Sequence, residues 1–163
     1  PSGVRNVPIE VTESITSLVI WRKELRLDSG GAGAQRGGLG QIMEVSNRYD
    51  MPMTFYARFE RVENPARGRK GGQAGTAGRL HLASGEKLRS KGTQTIPAGE
   101  TLVLEMPGGG GYGDPFTRDA AKVANDVALG YVSAEVARKD YGVVVTSKGL
   151  LDADATDALR QGR

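Results

Sequence analysis

The sequence of 163 residues contains no cysteine and a single histidine, His81. Without cysteine the chain forms no disulfide and offers no thiolate to a metal ion. One histidine is too few for a typical all-protein zinc site, and a Ser-His-Asp triad would have to use His81. Zinc chemistry and triad hydrolysis are therefore poor predictions for this chain.

Long hydrophobic runs and a strong net charge are also absent. No apolar run approaches the roughly 20 residues of a membrane-spanning helix, and no signal-peptide pattern is present. The net charge is only +3, and basic and acidic residues are mixed along the chain. This balance does not indicate a nucleic-acid surface. We therefore expect a cytoplasmic protein that binds neither a membrane nor nucleic acid. Because the chain starts at Pro1, we also expect a fragment or a processed product.

Glycine is the residue in excess, with 24 copies, about twice the usual share. Five of them lie within the six positions from Gly108 to Gly113, directly after the apolar run Leu102–Met106. Glycine loses more backbone entropy on folding than any other residue, so this density indicates a constrained path. We expect Gly110 and Gly111 to have positive φ or to contact another backbone segment. The basic stretch Asn64–Gly78, in contrast, is interpreted as a long loop in which Gly75 tolerates a side chain.

Alternating apolar and polar residues predict strands in the first two thirds of the chain. Residues 7–27 are predicted to be extended, and Met53–Phe59 shows the clearest alternation. Further strands are predicted at Ile42–Tyr49, Thr93–Ile96 and Thr101–Met106, with a hairpin at Arg79–Ala83 and Lys87–Arg89.

After Asp114 the apolar period changes to 3.6 residues, which predicts helices. The first helix has Thr117 or Asp119 as its cap and leaves Lys122, Asn125 and Asp126 on its outer face. The second begins at Ser133, and a third, capped by Asp152 or Asp154, ends near Arg160. The predicted fold class is α+β, mostly antiparallel β-sheet followed by two or three short C-terminal helices. Residues 1–163 are interpreted as a single domain, with 1–107 β-rich and 108–163 containing the glycine loop and the helices.

Two nucleotide-binding motifs fit the glycine loop poorly. The spacing Gly108-x-Gly110-x-x-Gly113 satisfies the dinucleotide fingerprint, but Pro115 follows at once, and a second helix stands where a parallel strand is required. A phosphate loop of the Walker type is excluded because no Gly-Lys-Ser/Thr follows the glycines. An anion-binding backbone nest stays open at either glycine-rich loop.

The segment Val123–Tyr141 has the order of a DNA-binding helix-turn-helix. Its second helix has no net positive charge, since Glu135 and Asp140 balance Arg138 and Lys139. DNA binding is therefore the weakest alternative.

Several motifs together resemble the hydantoinase B/oxoprolinase family, over essentially the whole chain and in order. They are Asn6–Glu13, Leu25–Gly33, Arg36–Gly40, Gly71–Gly75, Gly108–Pro115, Arg118-Asp119, Asp126-Val127, Gly130, Val132-Ser133 and Tyr141–Val143. The resemblance is to roughly the last third of a much longer B-type subunit.

The resemblance implies a part of an ATP-dependent enzyme that opens cyclic amides, such as N-methylhydantoinase or 5-oxoprolinase, or of a related ketone carboxylase. It implies an A-type subunit that binds ATP, the rest of the B-type subunit and an oligomer as partners. ATP and a divalent metal are implied for the whole enzyme, with no cofactor in this chain and with the metal ligands outside it. The substrate stays open, and the isolated chain is expected to be inactive.

Asp28, Ser29 and Arg36 are the polar candidates for a catalytic role, and we expect no metal site in the chain. The candidates for substrate or subunit contact are Gly109, Gly110, Gly111, Tyr112, Gly113 and Asp114. This domain would then shape part of the active site or take part in subunit assembly. The alternative is a purely structural subunit-interaction domain.

Overall fold

The computed structural model describes residues 6–162, which divide into two compact units. The first unit comprises the chain up to Glu24 together with Ile42–Phe59 and Leu80–Glu105. The second comprises Leu25–Gln41, Glu60–Arg79 and the chain from Met106 onward. Each unit is therefore assembled from three separate stretches of sequence. No helix among the described residues combines the length and the apolar character needed to cross a membrane.

Two sheets and one short helix make up the regular secondary structure of the described residues in the first unit. Its elements are α1 (Ile9–Ile15), β1 (Leu18–Leu25), β2 (Gln41–Asn47), β3 (Met53–Arg58), β4 (Arg79–Leu82), β5 (Lys91–Ile96) and β6 (Leu102–Glu105). The larger sheet has the order β1-β2-β6-β4, and β3 pairs with β5 in the smaller one. The β2–β6 and β3–β5 pairs are antiparallel.

Alternation along β3 confirms the strand that the sequence predicted most clearly. Met53 and Phe55 are half-buried and Ala57 is fully buried, whereas Thr54 and Tyr56 between them are exposed. Met53 and Phe55 pack on a core of three buried residues from other strands, Leu82, Ile96 and Leu102. Burial on one face and solvent on the other is the arrangement that a period of two encodes.

The prediction that residues 7–27 are extended was wrong for the first half of that range. Ile9–Ile15 forms α1, in which the amide of Thr12 donates to the carbonyl of Pro8 at 3.2 Å. Proline is tolerated where a helix begins because the first amides have no partner within the helix. Val7, Val11 and Ile15 recur every four residues, so the same letters fit a helical face, and the stretch is too short for periodicity to decide.

Up to residue 162, the second unit contains three helices and a 3₁₀ turn. They are the turn Pro115–Thr117 and the helices α2 (Ala120–Ala128), α3 (Ala134–Tyr141) and α4 (Ala153–Gln161). Asp119, Ser133 and Asp152 cap the three helices by accepting backbone N–H groups, and Gly142 ends α3 with φ 63°. The predicted helices and the α+β class are confirmed.

A bundle of glycine-rich segments, comprising residues 29–40, 66–76 and 108–113, forms the other half of the second unit. Successive residues of the central segment face different neighbours. A Cβ on Gly108 would overlap the backbone of Ser29, one on Gly110 that of Arg67, and one on Gly111 that of Ala32. Gly108 and Gly111 thus face the same neighbouring segment three residues apart, which is the repeat of an extended helix with three residues per turn.

Backbone hydrogen bonds join the segments of this glycine bundle laterally. The amide of Gly31 donates to Gly109 at 2.8 Å, and that of Gly109 donates to Gly38 at 2.8 Å. On the other side, Gly111 donates to Gln73 at 2.9 Å. Buried backbone N–H and C=O groups need hydrogen-bond partners. In the glycine bundle these partners are neighbouring irregular segments instead of the strands of a sheet.

The bundle confirms the expectation for Gly110 and Gly111, which lie against other backbone segments. The stretch Asn64–Gly78 contains no helix and no named strand, as predicted. The expectation that Gly75 tolerates a side chain was wrong, because a Cβ on Gly75 would overlap the carbonyls of Gly108 and Gly109. Local composition does not show which segments meet, so a packed glycine and a flexible one look alike in sequence. Gly38 is the contrasting case, because it is exposed and has open space where a methyl group would lie.

We expect Gly110→Ala and Gly111→Ala each to destabilise the protein by more than about 1 kcal/mol, because the new methyl group must push apart hydrogen-bonded backbones. Gly38→Ala is the matched control. It lies in the same bundle without steric conflict, so it should melt at or slightly above the parent temperature. Thermal unfolding followed by circular dichroism measures the difference. Central variants that melt like Gly38→Ala would contradict the close packing.

Candidate functional site

The exposed edge of the glycine bundle is centred on Tyr112. Its amide and carbonyl both pair with Gln35 at 2.9 Å, and its backbone also forms a parallel bridge with Arg69. These contacts leave the tyrosine side chain 54% exposed. Asp114, two residues further on, accepts the amide of Phe116 at 3.0 Å and caps the 3₁₀ turn. An aromatic ring is thereby presented on a backbone that neighbours hold on both sides.

Asp28 joins the start of the bundle to the loop before α3. Its Oδ1 accepts the backbone amide of Ser133 at 2.7 Å, and its own amide donates to Tyr131 at 3.2 Å. Its φ of 57° lies in the left-handed region, which aspartate tolerates better than most residues. The carboxylate of Asp28 therefore has a structural partner in this chain.

Ser29 is completely buried. Its hydroxyl donates to the carbonyl of Arg26 at 2.5 Å and accepts the amide of Gly40 at 2.8 Å. A nucleophilic serine needs an adjacent general base, whereas the partners of this hydroxyl are two backbone groups. The hydrogen bond from Gly40 to the Ser29 hydroxyl thus joins the two ends of the segment 29–40.

Arg36 takes part in a buried charge cluster with Asp126 and Arg118. Its Nε lies 3.1 Å from Asp126 Oδ2, and a terminal nitrogen of Arg118 lies 2.9 Å from the same oxygen. The Arg36 guanidinium also lies 5.5 Å from the centre of the Tyr131 ring. All three charged side chains are at most 15% exposed. The carboxylate of Asp126 therefore forms ion pairs with both guanidinium groups, at the contact between the glycine bundle and α2.

The prediction that Asp126 lies on the outer face of its helix was wrong. Asp126 is 6% exposed and points to Arg36 and Arg118. The helical period places Asp126 beside Lys122 and Asn125, but it carries no information about two arginines elsewhere in the sequence. In the sequence, Arg118 stands out only as part of the family resemblance, and nothing local pairs it with Asp126.

Tyr141 is a buried aromatic residue close to this cluster. Its side chain is 1% exposed, and its hydroxyl has no hydrogen-bond partner among the described residues. Burial raises the pKa of Tyr141 above its ordinary value of 10.0, while the positive charges of Arg118 and Arg36 oppose that shift. The neutral phenol is therefore the form that the folded protein accommodates.

The side chains of the described residues are not arranged in a way that fits a divalent metal. Within residues 6–162, no group of three or more histidine, aspartate or glutamate side chains could hold a metal ion. Both ring nitrogens of His81 have partners within the fold: Nδ1 lies 3.0 Å from Leu82 O, and Nε2 lies 3.3 Å from Glu105 Oε1. The polar candidates predicted from sequence are thus engaged within the fold, and Tyr112 is the one with an exposed aromatic surface.

Removing the shared carboxylate should destabilise the protein strongly. Asp126→Ala leaves Arg36 and Arg118 buried with like charges and no counterion, and breaking such a pair costs about 3–5 kcal/mol. Chemical denaturation measures the free energy of unfolding. Asp157→Ala, an exposed aspartate on α4, is the control and should change it little. Equal effects of the two substitutions would show that the cluster is not a buried ion pair.

Tyr141→Phe should stabilise the protein selectively at high pH. Because folding raises the pKa of Tyr141, its contribution is fully present below the unfolded pKa and is lost as the pH rises through the folded value. At neutral pH the phenylalanine variant should melt at or above the parent temperature, since it removes an unpaired hydroxyl. At about pH 11 its advantage should be larger. If the difference in melting temperature between Tyr141→Phe and the parent is the same at neutral and at high pH, the hydroxyl of Tyr141 is not a buried ionisable group.

Comparison with known proteins places these features in one family. The family model described as hydantoinase B/oxoprolinase matches residues 1–115. The chain is 35% identical to the putative B subunit of a D-/L-hydantoinase from Pseudomonas sp. strain NS671, over 98% of this chain and 28% of the relative. It is 39% identical to the beta subunit of the caprolactamase of Pseudomonas jessenii, over 93% of this chain and 27% of the relative.

A solved structure agrees with the sequence matches. The crystal structure of the ATP-dependent caprolactamase from Pseudomonas jessenii superposes with a TM-score of 0.77 and 32% identity, over 94% of this chain and 28% of that chain. The present chain thus spans little more than a quarter of the length of these relatives. Family model, relatives and structure agree, and the chain belongs to the hydantoinase B/oxoprolinase family.

Proposed function

We propose that residues 1–163 form a single C-terminal domain of the B-type subunit of an ATP-dependent cyclic-amide hydrolase, of the N-methylhydantoinase or 5-oxoprolinase kind. The observation that carries this proposal is the similarity to the B subunit of a hydantoinase and to the beta subunit of a caprolactamase along nearly the whole chain. The structural match to an ATP-dependent caprolactamase supports the same assignment. We assign the enzyme to the cytoplasm.

The domain contributes a rigid surface to the active site or to subunit assembly. Gly109–Gly113 lies in the glycine bundle, where other segments fix its backbone and leave Tyr112 exposed. Asp114 follows directly and caps the 3₁₀ turn. A surface whose backbone is already ordered loses little further entropy when it contacts a substrate or another subunit. The same argument gives Asp28, Ser29 and Arg36 a positioning role, since their contacts hold the segments that support Tyr112.

ATP and the divalent metal belong, in this proposal, to other parts of the enzyme. ATP is bound by an A-type subunit, which phosphorylates the amide oxygen of the substrate. Phosphorylation makes the amide carbon more electrophilic and supplies a better leaving group, which lowers the barrier to opening the ring. This chain then helps to enclose or to assemble the site in which the activated amide reacts with water.

A purely structural subunit-interaction domain is the second candidate. The observation that favours it is the engagement of Asp28, Ser29 and Arg36 with partners inside the fold. In that case the exposed edge of the glycine bundle contacts only a neighbouring subunit. The helix-turn-helix alternative is weaker, since Ala137 and Tyr141 of α3 are buried in the core of the second unit.

We expect the purified chain to hydrolyse neither ATP nor a cyclic amide. The test of function is a chimera in which this chain replaces the matching segment of the beta subunit of the caprolactamase. Together with the caprolactamase partner subunit, the chimera should support ATP-dependent hydrolysis of caprolactam. Turnover by the isolated chain, or a correctly assembled chimera that is inactive, would contradict the proposal.

Variants of this chimera separate the two roles. If Tyr112 shapes the active site, Tyr112→Ala should lower the rate of hydrolysis while the complex still assembles. If the domain acts only in assembly, the same substitution should reduce complex formation, and the complex that does form should keep its activity. Tyr56→Ala is the matched control, because it removes another exposed tyrosine, in the first unit. Tyr56→Ala should change neither the rate of hydrolysis nor the formation of the complex.

A further inference from the structure

Next to Tyr112 the glycine bundle carries a compact group of three cations, Arg67, Arg69 and Lys70, here called the basic turn. We propose that the basic turn and Tyr112 form a docking surface for an acidic patch on the ATP-binding partner subunit. The inference rests on the proposed function, because it names the contact through which this domain meets its partner. It goes beyond that function in specifying the residues and the charge of the complementary surface.

The cations of the basic turn have no counterions among the described residues. Arg67, Arg69 and Lys70 are all exposed, and no side-chain hydrogen bond or ion pair joins them to another residue in the described part of the chain. Other arginines of the chain behave differently, since Arg22 pairs with Glu24 and Arg36 with Asp126. Three such charges within four positions create a local positive field on a protein whose net charge is only +3. This kind of field steers an acidic partner during association.

The backbone holds these charges in a fixed turn. Lys70 has φ 52° and Gly71 has φ 90°, and the amide of Gly72 donates to the carbonyl of Arg69 at 3.0 Å. Positive φ at both central positions is the pattern of a type I′ turn, which normally takes asparagine, aspartate or glycine. A lysine in the left-handed region is strained, and strain of this kind is common at functional positions. In this proposal, the positive charge of Lys70 contributes to binding, which explains a lysine where asparagine, aspartate or glycine is usual.

Contacts with the central segment make the turn rigid. The amide of Arg69 donates to Gly111 at 2.9 Å, and its carbonyl accepts the amide of Gly113 at 2.9 Å. Tyr112 lies between these two glycines and is 54% exposed. A preordered turn loses less entropy when it binds. Arginine and tyrosine are also among the side chains most enriched at the energetic centres of protein interfaces.

The exposure of the group favours a protein surface over a small ligand. A cavity of about 570 Å³ in the same unit is lined by other residues, among them Phe116, Arg138 and Leu159. Side chains that project into solvent enclose a small anion poorly but fit a complementary macromolecular surface. The net charge of only +3, with basic and acidic residues mixed along the chain, does not favour a nucleic-acid backbone as the occupant. An acidic protein patch is therefore the occupant that these observations support.

The test measures binding of this chain to a purified A-type subunit of the family by biolayer interferometry at low and at physiological salt. The variant Arg67→Glu/Arg69→Glu/Lys70→Glu should lower the association rate by roughly 10-fold or more and abolish most of its salt dependence. Lys122→Glu, an exposed lysine on α2, is the control and should bind like the parent. Circular dichroism of each variant checks that the fold is retained.

Substitutions of Lys70 alone separate charge from turn geometry. Lys70→Gly removes both the charge and the strain, so it should raise the melting temperature and still weaken binding. Lys70→Arg keeps the charge and should bind like the parent. If the triple variant binds as fast as the parent, or if Lys70→Gly binds as well as Lys70→Arg, the docking proposal fails.

The docking proposal and the proposed function fail in different ways. An active chimera whose assembly is insensitive to the triple reversal overturns the docking surface alone. An inactive chimera that still binds the partner through these charges overturns the hydrolase assignment alone. Binding of duplex DNA that survives physiological salt and depends on the basic turn, without binding to the A-type subunit, would assign the surface to nucleic acid and overturn the docking proposal.

Discussion

Direct contact between backbones is the constraint on which the second unit depends. In the glycine bundle the carbonyls of one segment lie where the Cβ atoms of another would be, at Gly108, Gly110 and Gly111 in the central segment. Only glycine permits this approach, and only hydrogen bonds between the segments satisfy the backbone groups thereby buried. The high glycine content is thus a structural requirement with an entropic cost, and the lateral hydrogen bonds and packing must compensate for it.

The polar side chains around the glycine bundle mainly form hydrogen bonds and ion pairs that hold its segments in place. Ser29 closes one segment on itself, Asp28 holds the loop before α3, and Asp126 binds Arg36 and Arg118 where α2 meets the bundle. Each of these groups is buried or half-buried and has a specific partner. Burying polar groups is favourable only when their hydrogen bonds are completed. These contacts therefore hold segments of the glycine bundle together and join it to α2 and to the loop before α3.

Membership of the hydantoinase B/oxoprolinase family gives this edge its functional context. The chain corresponds to little more than a quarter of its relatives, so the chemistry of the whole enzyme belongs, in our proposal, to a larger assembly. A rigid exposed edge that combines an aromatic ring with exposed cations suits a domain that works beside other parts of a complex. In our proposal the glycine bundle presents Tyr112 and the basic turn to a partner on a backbone that hydrogen bonds hold in place.

Local patterns in the sequence determined most of the secondary structure. The alternation of Met53–Phe59 predicts β3, the capping residue Ser133 predicts where α3 begins, and the density of glycines predicts close packing at Gly110 and Gly111. Each of these signals lies within a few residues, and each reflects a local rule of burial, capping or backbone sterics. The family resemblance likewise rests on motifs that are visible in the sequence alone.

Tertiary structure decided the rest, because those features depend on residues far apart in the chain. Val7, Val11 and Ile15 fit a strand or a helix equally well on their own, and the folded chain adopts α1. Gly75 is constrained only because the segment 66–76 packs on Gly108, and Asp126 is buried only because Arg36 and Arg118 reach it. A sequence read locally shows what a residue is able to do, but its partner is set by how distant segments come together.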